Sequence, residues 1–171
     1  ADLSENSIAE ANKNTNDTLH FVVHDKREPY DEKFDAIFNL FTSFGYFEND
    51  ADNLKTLIAI KESLTEHGFA VIDFMNVNQV IANLVPEETK TVEGIDFHIQ
   101  RYVNDGHIYK EISFEDKGES YHFTEKVQAL TLQDFQTMME EAGIYLLDIF
   151  GDYKLKKFHK TESERLIMIF K

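Results

Sequence analysis

Apolar and polar positions change their spacing once along this chain, and the change divides it. Leu19 to His24, Phe34 to Phe38 and Phe69 to Phe74 are short apolar runs bounded by polar turns, the pattern of strands buried on both faces. Helix signals lie between them. Ser4 is placed to cap a helix running to about Asn14, with Glu5 in its first turn. Asp50 caps a second helix, whose Leu54, Leu57, Ile58 and Leu64 fall near one stripe and which His67 and Gly68 end. Val77 to Leu84 reads as a short third helix. Alternation of strand and helix over this part predicts a parallel sheet.

After Pro86 the period shortens. Phe97 to Val103, His107 to Glu115 and Tyr121 to Ala129 are strand-like, separated by turns at Asn104-Asp105-Gly106 and Asp116-Lys117-Gly118 that strongly favour hairpins. The chain therefore reads as one domain, 1–171, with an α/β core from 1–85 and 130–171 and an inserted antiparallel meander at 86–129. Thr131 and Asp134 form a variant capping box, Gly143 stops that helix, and Ile144 to Phe150 and Arg165 to Phe170 are the closing strands, joined by the basic loop Gly151 to Glu164.

Charge changes which partners fit. Lysine plus arginine number 17 against 32 acids, a net charge of −15 over 171 residues. That field repels phosphate backbones and anionic lipid, so neither nucleic acid nor a membrane surface is an expected partner. With 42% hydrophobic residues, 15 of them phenylalanine counted over the whole chain, the sequence is a folding one. It has no cysteine, which removes thiolate chemistry and fits a reducing compartment; no signal peptide or membrane span is read, and the cytoplasm is the default location. The chain starts without Met, which leaves a true start upstream open.

Ligands in open α/β sheets sit beyond the carboxyl ends of strands, so Asn39 to Phe47 is where one is expected. Phe44 and Tyr46 offer ring faces to a cation, and Gly45 gives the loop freedom to turn. The alternative is that Phe41, Phe44, Tyr46 and Phe47 pack a core corner. His20 and His24 lack an acidic partner for a metal, and Glu48, Asp50 and Asp52 lack the glycine and glutamate of a calcium loop, so no metal site is assigned.

Taken in order, the chain resembles the class I S-adenosylmethionine-dependent methyltransferases from their second strand onward. The pieces that carry the resemblance are Asp2-Leu3-Ser4 before a helix, Phe21 to Asp25, Phe34 to Tyr46, Phe69 to Phe74, Leu130 to Phe135, Glu141 to Ile144 and Phe150 to Tyr153. The resemblance implies a Rossmann-like, mostly parallel sheet of seven strands with helices on both faces, an antiparallel last strand, and a meander before the sixth strand as in the small-molecule branch. It also implies S-adenosylmethionine as cofactor, with Asp2 and Leu3 at its ribose, Asp25 and Lys26 at its adenine, and Asn39 and Leu40 near the transferred methyl. A small-molecule acceptor (amine, hydroxyl or carbon) would meet Phe41, Phe44, Tyr46, Arg101 and Tyr153. The family's first strand and Gly-rich turn are not matched, since the seven glycines are all isolated; the domain is expected to be N-terminally incomplete as given. No catalytic base is required, because alignment and desolvation do most of the work of methyl transfer. A homodimer, a noncatalytic α/β binding or dimerisation module, and a nicotinamide-dependent oxidoreductase stay open.

Overall fold

Two four-stranded sheets share one core in the computed structural model, which describes residues 1–171. The elements in chain order are α1 (Glu5–Ala11) with a 3-10 turn to Asn14, β1 (Phe34–Asn39), α2 (Asp50–Ser63), β2 (Leu64–Met75), α3 (Val77–Ala82), β3 (Glu87–Val92), β4 (Ile95–Asn104), β5 (His107–Asp116), β6 (Glu119–Gln128), α4 (Leu132–Glu141), β7 (Leu146–Phe150) and β8 (Arg165–Phe170). The first sheet runs β1-β2-β8-β7. β1 and β2 are parallel, and β8 lies antiparallel between β2 and β7, so three strands point one way and the last opposes them. Phe74 opposite Leu166 and Ile72 opposite Met168 set the register that turns large side chains toward the core. The α/β class, the antiparallel last strand and an antiparallel meander are as expected, while the core sheet has four strands in place of the seven that the resemblance implies.

The core lies where α2 and α4 pack together over this sheet. Phe135 of α4 is its hub: fully buried, its ring lies 5.3 Å from Phe74 of β2 and 5.3 Å from Phe44 of the loop after β1. Ile108 and Val127 bring the inner end of the meander into the same cluster. The caps of α1 and α4 are as read. Ser4 accepts from the Ser7 amide, and Thr131 with Asp134 forms a capping box, which satisfies amides that the first turn of a helix leaves without partners.

Four further expectations need correction. Leu19 to His24 is not a strand; it forms only isolated bridges, Leu19 with Asn16 and Val23 with Asp2, and no continuous ladder. α2 is capped by Asn49 and ends at Ser63, before His67 and Gly68, which belong to β2. Gly68 is needed there for close approach, since a Cβ would stand 2.8 Å from the Phe34 carbonyl oxygen. The stripe of α2 is also rotated: Ile58 is exposed while Asn53, Thr56, Leu57, Ile60 and Ser63 are buried; the Thr56 and Ser63 hydroxyls donate to carbonyls one turn back, the Asn53 amide donates to Gln128, and the Asn53 Oδ1 has no partner. Finally, Glu87–Val92 is a strand that its charged sequence concealed. It pairs with β4 through a turn in which Glu93 and Gly94 both take positive φ, 52° and 85°.

Candidate functional site

β1 is hydrogen-bonded to β2 on one side only. Along its other flank, between it and the Asp2–Val23 bridge, lies a cleft of about 690 Å³. The size is that of a small-molecule site. Asp2, Leu3, Asp25, Lys26 and Asn39 all line it, as do Ser43, Tyr46 and Phe47. Five of the six residues assigned to a cofactor are thus brought together from three separate segments; Leu40 is exposed and is not in the lining.

Local bonding fixes what each residue can do. One oxygen of Asp2 accepts from the Ser4 amide at 2.8 Å, while the bridge ties its backbone to Val22 and His24. Its second oxygen takes no hydrogen bond from the protein and is open to hydroxyl donors. Asp25 is committed differently. Arg27 grips both carboxylate oxygens, at 3.0 and 2.6 Å, and this grip holds the Asp25 carboxyl down at about 2; the same guanidinium also reaches Asp52. Lys26 donates to the Ser43 carbonyl with its ammonium 4.9 Å from the centre of the Phe47 ring, and burial pushes its pKa down. Asn39 faces Ser43, whose hydroxyl donates to the Leu40 carbonyl at 2.5 Å and stands 3.4 Å from the Asn39 side-chain oxygen.

The residues assigned to the acceptor scatter. Phe44 is wholly buried against Phe135, so it belongs to the core and not to a ligand wall, the physical reason being its place in the hydrophobic cluster. Phe41 is 76% exposed, and Tyr46 lies in the cleft wall with its hydroxyl pKa raised by burial and then by the charge of Glu125. Arg101 is bound to Glu88 across β3 and β4, outside the cleft lining. Tyr153 donates to Asp73 at 3.0 Å.

Asp73 escaped the sequence reading, although one acid inside the run Phe69 to Phe74 was a signal. It is 1% exposed at the carboxyl end of β2. Its carboxylate accepts from Arg165 at 2.8 Å, from Tyr153, and from the backbone amide of Phe41 at 2.8 Å. Arg165 also donates to the Thr42 hydroxyl, and the Thr42 amide to the Asp73 carbonyl. Phe41 and Thr42 have φ of 57° and 60°. Left-handed conformations cost non-glycine residues about 1–3 kcal/mol each, and two in succession need a built restraint.

No protein-family model matches this chain, and no curated protein sequence matches it. Solved structures do. An S-adenosylmethionine-dependent methyltransferase from Clostridium acetobutylicum ATCC 824 matches with a TM-score of 0.84 at 21% identity, over 99% of this chain and 72% of that one. The fold is that of the S-adenosylmethionine-dependent methyltransferases. The sugar N-methyltransferase KedS8 from Streptoalloteichus sp ATCC 53650 matches at TM-score 0.71 and 16% identity, over 98% of this chain and 68% of that one. CalS10, an amino pentose methyltransferase from Micromonospora echinaspora solved with S-adenosylmethionine bound, matches at 0.73 and 14%, over 98% and 70%. Within this methyltransferase fold the cleft lies beside the sheet edge and reaches the carboxyl end of β1, the place where open α/β sheets hold ligands. No helix is long and apolar enough to cross a membrane.

Proposed function

We propose that this chain carries the ribose, adenine and acceptor sides of an S-adenosylmethionine-dependent methyltransferase that acts on a small molecule. The observation that carries the reading is the convergence of Asp2, Leu3, Asp25, Lys26 and Asn39 on one cleft in a fold shared with such enzymes. The residues fit the cofactor chemically: Asp2 keeps a free carboxylate oxygen for ribose hydroxyls, and Asn39 adds a side-chain amide at the end of β1.

When bound, the cofactor supplies an electrophilic methyl group on sulfur. The protein's part is to align and to exclude water. Phe47 and Tyr46 shield the cleft wall, and the loop Leu40 to Ser43, fixed by Asp73, sets the direction in which Asn39 and Ser43 face it. Phe41, Tyr46 and Tyr153 are the acceptor contacts in this reading, with an amine, hydroxyl or carbon as the nucleophile. The neighbours that methylate amino sugars support a small acceptor.

A Gly-rich turn for the methionine end is part of the same proposal, supplied by polypeptide outside residues 1–171, with the core at 1–85 and 130–171 and the meander at 86–129. So are a cytoplasmic location and a homodimer through the meander. Calorimetric titration tests the central claim. The full-length protein is expected to bind S-adenosylmethionine at micromolar concentration and not NAD, residues 1–171 alone weakly or not at all. Asp2→Ala in the full-length protein weakens binding by about 1.5–3 kcal/mol, the scale of hydrogen bonds to a charged group. Tight binding of NAD in place of S-adenosylmethionine would overturn the reading.

A further inference from the structure

The left-handed pair Phe41–Thr42 lies between Asn39 and Ser43, both of which line the cleft. Whatever sets the backbone at 41 and 42 therefore sets the spacing of two ligand-facing residues. Neither residue is glycine, and Phe41 is too exposed for packing to hold it. What holds it is one carboxylate. We propose that Asp73 is a positioning residue for the cleft: clamped by Arg165 and Tyr153, it locks the Phe41 amide and thereby presents Asn39 and Ser43 to the ligand.

The donor count explains why a carboxylate is needed. Asp73 receives three side-chain or backbone donors, from Arg165 Nε, Tyr153 Oη and the Phe41 amide. Two acceptor oxygens can take all three. An asparagine at 73 offers one oxygen and turns its own N–H groups toward donors, so at least one bond is replaced by a repulsive contact. Thr42 adds a second tie, since its hydroxyl accepts from Arg165 and its amide bonds to the Asp73 carbonyl. Tyr153 starts the loop between β7 and β8 and is largely exposed, so it couples that loop to the one after β1 through the same acid. Its own pKa is raised by burial and by that contact with Asp73, which keeps the phenol a donor.

The test uses the full-length protein and S-adenosylhomocysteine as the probe, a choice that rests on the methyltransferase reading. Asp73→Asn is expected to weaken probe binding by about tenfold or more, and Tyr153→Phe by about threefold, the scale of losing charged and ordinary hydrogen bonds. Backbone NMR supplies a readout that needs no ligand: the Phe41 amide loses its exchange protection in Asp73→Asn. Phe114→Ala, which removes ring pairs at the outer end of the meander, serves as a stability control and leaves both readouts unchanged. An unaltered Phe41 amide, or unaltered affinity with the amide released, would overturn the proposal. Should Asp73→Asn not fold, Tyr153→Phe decides, since an exposed ring can be changed without unfolding; wild-type affinity in that variant overturns it. A wild-type protein that ignores S-adenosylhomocysteine would sink the functional reading instead, and the amide measurement still tells whether Asp73 governs the loop.

Discussion

In the sheet β1-β2-β8-β7, the strands β2 and β8 have long stretches removed from solvent, Ala70 to Phe74 and Leu166 to Met168. In β3-β4-β5-β6 only Ile99, Ile108, Val127 and Gln128 are buried, and all but Ile99 belong to the end that meets the core or α2. The first sheet is held by area taken out of water. Much of the second is held by cross-strand pairs: Phe114 stands 4.7 Å from Phe97 and 4.9 Å from Tyr121, and Lys110 pairs with Glu125. The difference teaches where sequence change is tolerated. A strand closed in by core neighbours must keep its volume, whereas a ladder of exposed pairs can be rewritten without disturbing the cleft beside β1.

The sharpest way to break this contrast is at Phe135. Truncating a fully buried ring that touches both Phe44 and Phe74 is expected to cost about 3–5 kcal/mol in urea unfolding, the range for deep Phe→Ala changes. A loss no larger than that of a meander residue would erase the distinction. Next comes the joint between the regions, where Asn53 of α2 donates to Gln128 of β6 and Gln128 donates to Asp50 at 3.0 Å. Gln128→Ala leaves the fully buried Asn53 without its partner, at a cost of about 1–3 kcal/mol by the same measurement. Phe114→Ala should cost less, about 0.5–1.5 kcal/mol for its ring pairs beyond lost area, and leave affinity for S-adenosylhomocysteine unchanged. A weakened affinity would show that the meander shapes the cleft.

The smallest expected effect is on pH dependence. Arg27 lowers the Asp25 carboxyl from its ordinary 3.8 to about 2, so the pair stabilises the fold fully above the ordinary value and loses that contribution as pH falls through about 2. Both partners are partly exposed, which keeps the contribution modest. Urea midpoints measured between pH 5 and pH 2 should fall more steeply in wild type than in Arg27→Met. Equal slopes would mean that the pair is screened out.

Local chemistry was the legible part. Ser4, Thr131 with Asp134, Gly143 and the turns at Gly106 and Gly118 announce themselves within a few residues, and the structure places caps or positive-φ turns at all of them. β3 was hidden because an exposed edge strand can be built of Glu, Thr and Lys, which also guard it against pairing. The phase of α2 misled because Asn53, Thr56 and Ser63 are buried by bonds and not by hydrophobicity. Phe44 misled in the opposite sense: a ring beside a ligand loop and a ring beneath it look alike in one dimension. The role of Asp73 was hidden for a plainer reason, although the lone acid in its apolar run was visible. Its partners lie 32, 80 and 92 residues away, and no local window contains them.

The unpaired flank of β1 has a bearing on handling the protein. A row of peptide groups with nothing alongside is a template for any extended segment that drifts near, including one from another copy. The charge of −15 keeps copies apart, but only over the reach of the field, about 8 Å in 0.15 M salt and about 30 Å in 0.01 M. Colloidal lifetime and ionic strength are thereby linked: residues 1–171 should store best in dilute buffer and cloud first where salt is high.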